Sequence, residues 1–228
     1  MALRAVIFDF DGVLVNSEPL HFRAMRESLI PEGIVIDSTE YLRNYVAFDD
    51  RGAIRLALEQ HGHPSDAVRV EIVADRKARM FAEMKSEIPF FPGARELVRE
   101  LRRVEVPLGI ASGARCSEID ALLETGGLRD AFAAVVGADD VARTKPHPDP
   151  YLEALRQLQQ AAPGLEAKDC VVLEDTPPGI AAARAAGMTV VGIAHTYEAS
   201  VLVSAHHVLT SLRRVSAAEL RALAARPA

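Results

Sequence analysis

Two kinds of hydrophobic pattern alternate along the chain. Short continuous apolar runs stand at Arg4–Phe10, Pro107–Ala111, Ala133–Val136, Cys170–Leu173, Thr189–Ile193 and His207–Leu209. Runs of this length without polar alternation read as strands buried on both faces. Between them, apolar residues recur at helical spacing: Ala94, Leu97, Val98 and Leu101 within Gly93–Val104, then Ile119, Leu122 and Leu123 within Ser117–Thr125. Asp149–Gln160 and Gly179–Ala186 read the same way, and Ser216–Ala225 reads as a closing surface helix. Strands alternating with helices imply right-handed crossovers, so the expected core is an α/β, doubly wound parallel-sheet (Rossmann-like) domain. Ligands in that architecture gather at the carboxyl ends of the strands.

One stretch breaks the alternation. From Asn16 to Ile88 the pattern is almost entirely helical, with helices expected over His21–Leu29, Thr39–Asn44, Arg51–His61 and Asp66–Met84. This predicts an inserted α-helical cap domain over 16–88, with the catalytic core built from 1–15 and 89–228. Both linkers would then leave from near the ligand-bearing edge.

Composition narrows the class without choosing a function. The 228 residues are 49% hydrophobic and 25% charged, the balance of an ordinary globular protein. A net charge of −6 with no basic stripe argues against nucleic acid as a partner. No run approaches the ~18 apolar residues of a membrane helix, and the N-terminal segment soon meets Asp9, Asp11 and Glu18, unlike a secretory signal. Cys116 and Cys170 match no metal-ligand spacing and read as unpaired packing residues. A cytoplasmic protein is the resulting expectation, and a monomer is expected alongside it.

The candidate chemistry sits at the ends of the expected strands. Asp9 and Asp11 are two apart where the first run closes, and a period of two would point both carboxylates to one side. Two such charges about 5 Å apart, at an effective dielectric of ~20, would repel by roughly 3 kcal/mol, so the pair calls for counter-charge or a proton. Ser112 and Gly113 end another run with a hydroxyl and a glycine amide that suit phosphate oxygens. Glu174 and Asp175 end a third with the hard oxygen ligands that magnesium prefers. Lys145 stands in the proline-rich segment Arg143–Tyr151, where an ammonium could neutralise both a phosphate and its attacking group. Singly, Ser-Gly is usually a helix start and Glu-Asp a solvated turn. Their joint order is the specific signal.

That order resembles the haloacid dehalogenase superfamily, and within it the capped phosphatases and β-phosphoglucomutase-like hydrolases. The resemblance rests on Asp9-Phe-Asp11-Gly-Val-Leu, Ala111-Ser112-Gly113, Lys145-Pro-His-Pro-Asp-Pro-Tyr151 and the run from Leu173-Glu174-Asp175 to Met188. It implies Asp9 as nucleophile, Asp11 as general acid and base, and Ser112, Gly113 and Lys145 as phosphate holders. It also implies Mg2+ held by Asp9, the Asp11 carbonyl and Asp175, with Glu174 helping. The reaction implied is hydrolysis of a small-molecule phosphate ester through an aspartyl-phosphate. Dehalogenating relatives lack the second aspartate, so Asp11 points to phosphate esters.

The alternative within the resemblance is a β-phosphoglucomutase-type mutase, and outside it a non-catalytic regulatory protein on the same fold. A mutase must hold a second phosphate, yet the residues after Ser112 read Gly113-Ala-Arg115-Cys116, and Asp50 stands near where a mutase arginine is expected in Val46-Ala-Phe-Asp-Asp50-Arg51. Asn16 replaces the aspartate usual at the first linker. His21, Arg51, Lys77 and Arg115 are the candidate substrate or cap contacts, with Lys77 equally readable as a solvated helix charge.

Overall fold

The computed structural model describes residues 3–46, 48, 50–84 and 87–225. Ala47 and Asp49, part of the cap stretch quoted above, lie outside them. Two compact units result: Met1–Asn16 with Pro89–Ala228, and Ser17–Ile88.

The larger unit is an α/β sandwich. Its strands are β1 (Ala5–Phe8), β2 (Leu108–Ala111), β3 (Ala134–Val136), β4 (Cys170–Glu174), β5 (Thr189–Ile193) and β6 (His207–Leu209). All adjacent pairs are parallel, in the order β3-β2-β1-β4-β5-β6. The central strands are wholly buried, as their unbroken apolar runs require. Each buried Val, Ile or Leu side chain contributes about 1.5–3 kcal/mol relative to exposure.

Helices α5 (Ala94–Arg103), α6 (Cys116–Thr125), α7 (Asp149–Ala161), α8 (Pro177–Ala185) and α9 (Ala217–Ala225) complete this unit. Helix α7 lies on β2 and β3, burying Tyr151, Ala154 and Leu158 against Ile7, Ala134 and Val172. The order reverses between β1 and β4, the topological switch point at which open α/β sheets bind ligands.

Strand β1 ends earlier than its apolar run. The Phe10 carbonyl accepts N–H bonds from Leu14 (2.9 Å) and Val15 (3.0 Å), which turn the chain immediately after the strand. Asp9 directly follows the strand and its N–H still bonds Leu173 O, whereas Asp11 bridges Val15 at the entry to the turn at 12–14. Past this turn the two linkers run together. Val15 bridges Phe90 in antiparallel fashion, Asn16 N–H bonds the Pro89 carbonyl at 2.8 Å, and Phe91 N–H bonds Leu14 O at 2.9 Å. These bonds keep Asn16 with the α/β unit.

The smaller unit holds α1 (Glu18–Leu29), α2 (Ser38–Asn44), α3 (Asp50–Gln60) and α4 (Ala67–Met84). Helix α4 packs against α1 and α3 around Met25, Leu29, Ile36, Tyr45, Ile54, Leu58, Val70 and Val73. Asp37 caps α2 by accepting the Glu40 N–H at 2.8 Å.

The start of α5 depends on one glycine. Gly93 has φ +93°, and a Cβ there would collide with the Leu212 carbonyl. Gly93→Ala should lower the denaturant midpoint of the chain, costing about 2 kcal/mol or more from left-handed strain and the backbone clash. An unchanged midpoint would show that this contact is not tight.

Candidate active site

Register alone brings three loops to one level. Phe8 pairs with Ile110 on one side and Leu173 on the other, so Asp9 stands one step beyond β1 beside Glu174, while Ser112 follows β2. The Asp9 N–H bonds the Leu173 carbonyl at 2.9 Å, anchoring the first acidic residue to β4. Glycine makes the close packing possible. A Cβ on Gly12, which has φ +81°, would land on the Asp175 carboxylate, and one on Gly179 would land on that of Glu174.

Lys145 closes the cluster from the loop before α7, with a cis bond to Pro146. Its Nζ is 2.9 Å from Asp9 Oδ1 and 2.8 Å from Glu174 Oε1, and it lies 5.1 Å from the Tyr151 ring centroid. The Asp9 Oδ1 also accepts the Phe10 N–H at 2.7 Å. Glu174 is the most heavily bonded. Lys145 and the Tyr151 hydroxyl (3.1 Å) donate to Oε1, and the Thr176 N–H (2.7 Å) and hydroxyl (3.0 Å) donate to Oε2. An ionised carboxylate offers about four lone-pair sites, and four donors engage this one. By contrast, Asp175 Oδ1 is buried with no hydrogen-bond donor.

The charges are out of balance. Burial pushes the Asp9 carboxyl well up, and Glu174 and Asp175 add to this against the pull of Lys145. Burial, then the Glu174 charge, pushes Asp175 up to about 7. Glu174 is held low: burial acts upward, but the Lys145 charge and its hydrogen bond outweigh it. Lys145 is likewise desolvated, yet Asp9 and Glu174 keep it firmly protonated. Oxygens of Asp9, Glu174 and Asp175 lie within 4.8 Å of one another. Three crowded carboxylates with one ammonium and a donorless buried oxygen fit a hard divalent cation.

The remaining sequence candidates divide. Ser112 is 2% exposed, and its hydroxyl accepts the Ala114 N–H at 3.0 Å while its own N–H bonds Val136 O. Gly113 is exposed, with open space where a Cβ would be. Arg115 is exposed at the start of α6. Asp139, held low first by the Cys116 N–H, also feels the Arg115 charge. Cys116 is not a simple packing residue: its thiol donates to Asp140 at 2.6 Å, whereas Cys170 is buried.

Within the helical unit, Lys77 is not a solvated charge. It is 3% exposed, bonds the Asp50 carboxylate and stands 3.2 Å from His21 Nδ1. Its place on the buried stripe of α4 with Val70, Val73 and Ala74 explains this. His21 stacks on Phe81 with centroids 4.1 Å apart, and Arg51 makes a two-pronged pair with Glu71 at 2.8 and 2.6 Å.

Sequence pattern alone does not single out Tyr151, Thr176 or His195. Tyr151 closes the proline-rich segment and Thr176 follows Asp175, so adjacency to quoted motifs was their available signal. His195, whose Nδ1 is 3.0 Å from Gly12 O, had none.

With this geometry in place, comparison with known proteins gives the family. The haloacid dehalogenase-like hydrolase family model matches residues 6–193, and the chain belongs to that family. It is 30% identical over 213 residues to validoxylamine A 7'-phosphate phosphatase of Streptomyces hygroscopicus subsp. limoneus, covering 93% of this chain and 95% of that one. A hydrolase of the same family from Deinococcus radiodurans R1, solved with bound phosphate and sodium, is similar with 31% identity, a TM-score of 0.77 and coverage of 97% and 94%. A variant of CbbY from Rhodobacter sphaeroides, solved with xylulose-(1,5)-bisphosphate, is similar with 26% identity, a TM-score of 0.75 and coverage of 96% and 99%. The chain spans only 19% and 53% of the length of two further curated relatives, both from Arabidopsis thaliana. Among the described residues no helix is long and apolar enough to cross a membrane.

The hydrogen bond from Tyr151 to Glu174 joins a neutral donor to a buried carboxylate. Tyr151→Phe should therefore lower stability by about 1.5–3 kcal/mol, measured by urea unfolding. A change within error of zero would mean that Lys145 and Thr176 alone satisfy Glu174.

Proposed function

We propose that this protein is a magnesium-dependent phosphoric monoester hydrolase that dephosphorylates a small metabolite through an aspartyl-phosphate on Asp9. The observation that carries the reading is Lys145 Nζ at 2.9 Å from Asp9 Oδ1, beside an Asp175 oxygen that has no donor. Asp9, the Asp11 carbonyl and Asp175 would hold the cation. Glu174, with its lone pairs engaged, would act mainly by fixing Lys145. Bound there, magnesium supplies positive charge to the carboxylate cluster and to the phosphate oxygens.

In this reading Asp9 attacks phosphorus in line, and Lys145 neutralises charge on the nucleophile and on a transferring oxygen. The Ser112 hydroxyl and Gly113 amide hold further phosphate oxygens. Asp11 gives its proton to the leaving alcohol, then takes one from the water that hydrolyses the acyl phosphate. The helical unit, Ser17–Ile88, is proposed as the cap that excludes water and selects the leaving group. The chemistry of the relatives' names and ligands supports a sugar-like or polyol phosphate as substrate class. Hydrolysis is preferred over mutase chemistry because Lys77 and Arg51 are engaged by Asp50 and Glu71, leaving them poorly disposed to hold a second phosphate.

Asp9→Asn should abolish phosphate release, a loss of about 10³-fold or more, in a protein that remains folded. Substantial residual turnover would remove Asp9 from its role. Excess chelator should stop phosphate release by the unaltered enzyme and added magnesium should restore it; indifference to chelation would contradict the metal assignment. Stoichiometric glucose 6-phosphate formed from β-glucose 1-phosphate plus catalytic bisphosphate, without free phosphate, would favour the mutase.

A further inference from the structure

The loop carrying Asp11 is restrained at Gly12 from three directions. Its N–H bonds the Val15 carbonyl at 2.9 Å, its α-carbon lies against the Asp175 carboxylate, and its carbonyl faces His195 Nδ1 at 3.0 Å. A carbonyl oxygen only accepts, so His195 Nδ1 carries the proton and donates it. Burial lowers the imidazole from its usual value, with the Gly12 bond partly offsetting this, in keeping with a neutral ring. The ring is itself held in place. It stacks on Phe91 with centroids 4.0 Å apart and planes inclined by 19°, and Phe91 N–H is bonded to Leu14 O at 2.9 Å.

The same segment supports the site twice. Ala194 N–H is tied to Leu209 O at 2.8 Å, anchoring the loop after β5 to β6. The neighbouring Thr196 also acts on the Asp175 carboxyl, drawing it down against the upward push of burial and the Glu174 charge. One loop, tied to β6, thus holds the turn after Asp11 through His195.

We propose that His195 is a positioning residue for phosphoryl transfer: by donating Nδ1–H to the Gly12 carbonyl while stacked on Phe91, it fixes the Gly12–Val13 peptide and, through Gly12, the turn that carries Asp11. This rests on the reading of Asp11 as acid and base. In this proposal His195 acts on the turn and not on the phosphate. Its effect passes through the turn, where a displacement of about 1 Å can cost about 10²-fold in rate.

Two substitutions separate the donor from the ring. His195→Phe keeps an aromatic surface against Phe91 and removes the donor; His195→Asn keeps an N–H near the Nδ1 position and removes the ring. Turnover of p-nitrophenyl phosphate with magnesium and urea unfolding are measured for both, with Asp9→Asn as control. Expected are a near-parental unfolding midpoint but a kcat lowered about 10–100-fold for His195→Phe, with KM little changed. His195→Asn should be less stable yet keep kcat within about threefold, since the donor that orients the turn survives. Parental kcat in His195→Phe, or a kcat in His195→Asn as low as in His195→Phe, would overturn the proposal while an inactive Asp9→Asn left the phosphatase reading standing. An active Asp9→Asn would instead bring down the phosphatase reading itself.

Discussion

A lysine ammonium buried between two carboxylates is the contact on which the rest of this site depends. At an effective dielectric of ~20, each Lys145 contact near 2.9 Å is worth about 6 kcal/mol of gross attraction, and removing each ion from water costs several kcal/mol. The two nearly offset, so the cluster adds little to stability. What it does is hold charge in place. Burial first, and then the charge of the neighbouring carboxylates, drives Asp9 and Asp175 upward, Asp175 to about 7. The cluster is thus poised for added positive charge and for a ligand whose own charge needs neutralising, the setting in which fixed electrostatics act most strongly.

Sheet order explains why these groups meet. β1 lies at the centre with β2 on one side and β4 on the other, although more than 160 residues separate Asp9 from Glu174 in the chain. Parallel pairing aligns the strand ends, and the switch point between β1 and β4 opens the crevice there. Gly12 and Gly179 then let backbone approach the Asp175 and Glu174 carboxylates where any side chain would collide. Fold and chemistry are coupled at those two positions.

Much of this was legible because burial on both faces writes itself as an unbroken apolar run. All six strand segments follow from that signal and the helices between them from apolar residues at helical spacing, with bounds shifted by a residue or two. The end of β1 did not follow, because Phe10 continues the apolar run while its carbonyl already closes a turn with Leu14 and Val15. Lys77 was equally opaque: periodicity places a lysine on a helix, but Asp50 and His21, which make its burial tolerable, arrive from other helices. His195 and Tyr151 act through contacts distant in sequence, Gly12 and Glu174, and no local pattern encodes a distant acceptor.

The central claim is that the carboxylate Lys145 steadies becomes covalently phosphorylated. Acid quenching during turnover, borohydride reduction and peptide mass spectrometry test it most directly, because reduction converts an aspartyl-phosphate to homoserine. The account predicts homoserine at position 9 and at no other acidic position of the cluster. Unmodified Asp9 under conditions of rapid turnover, or label on Glu174 or Asp175 instead, would contradict it.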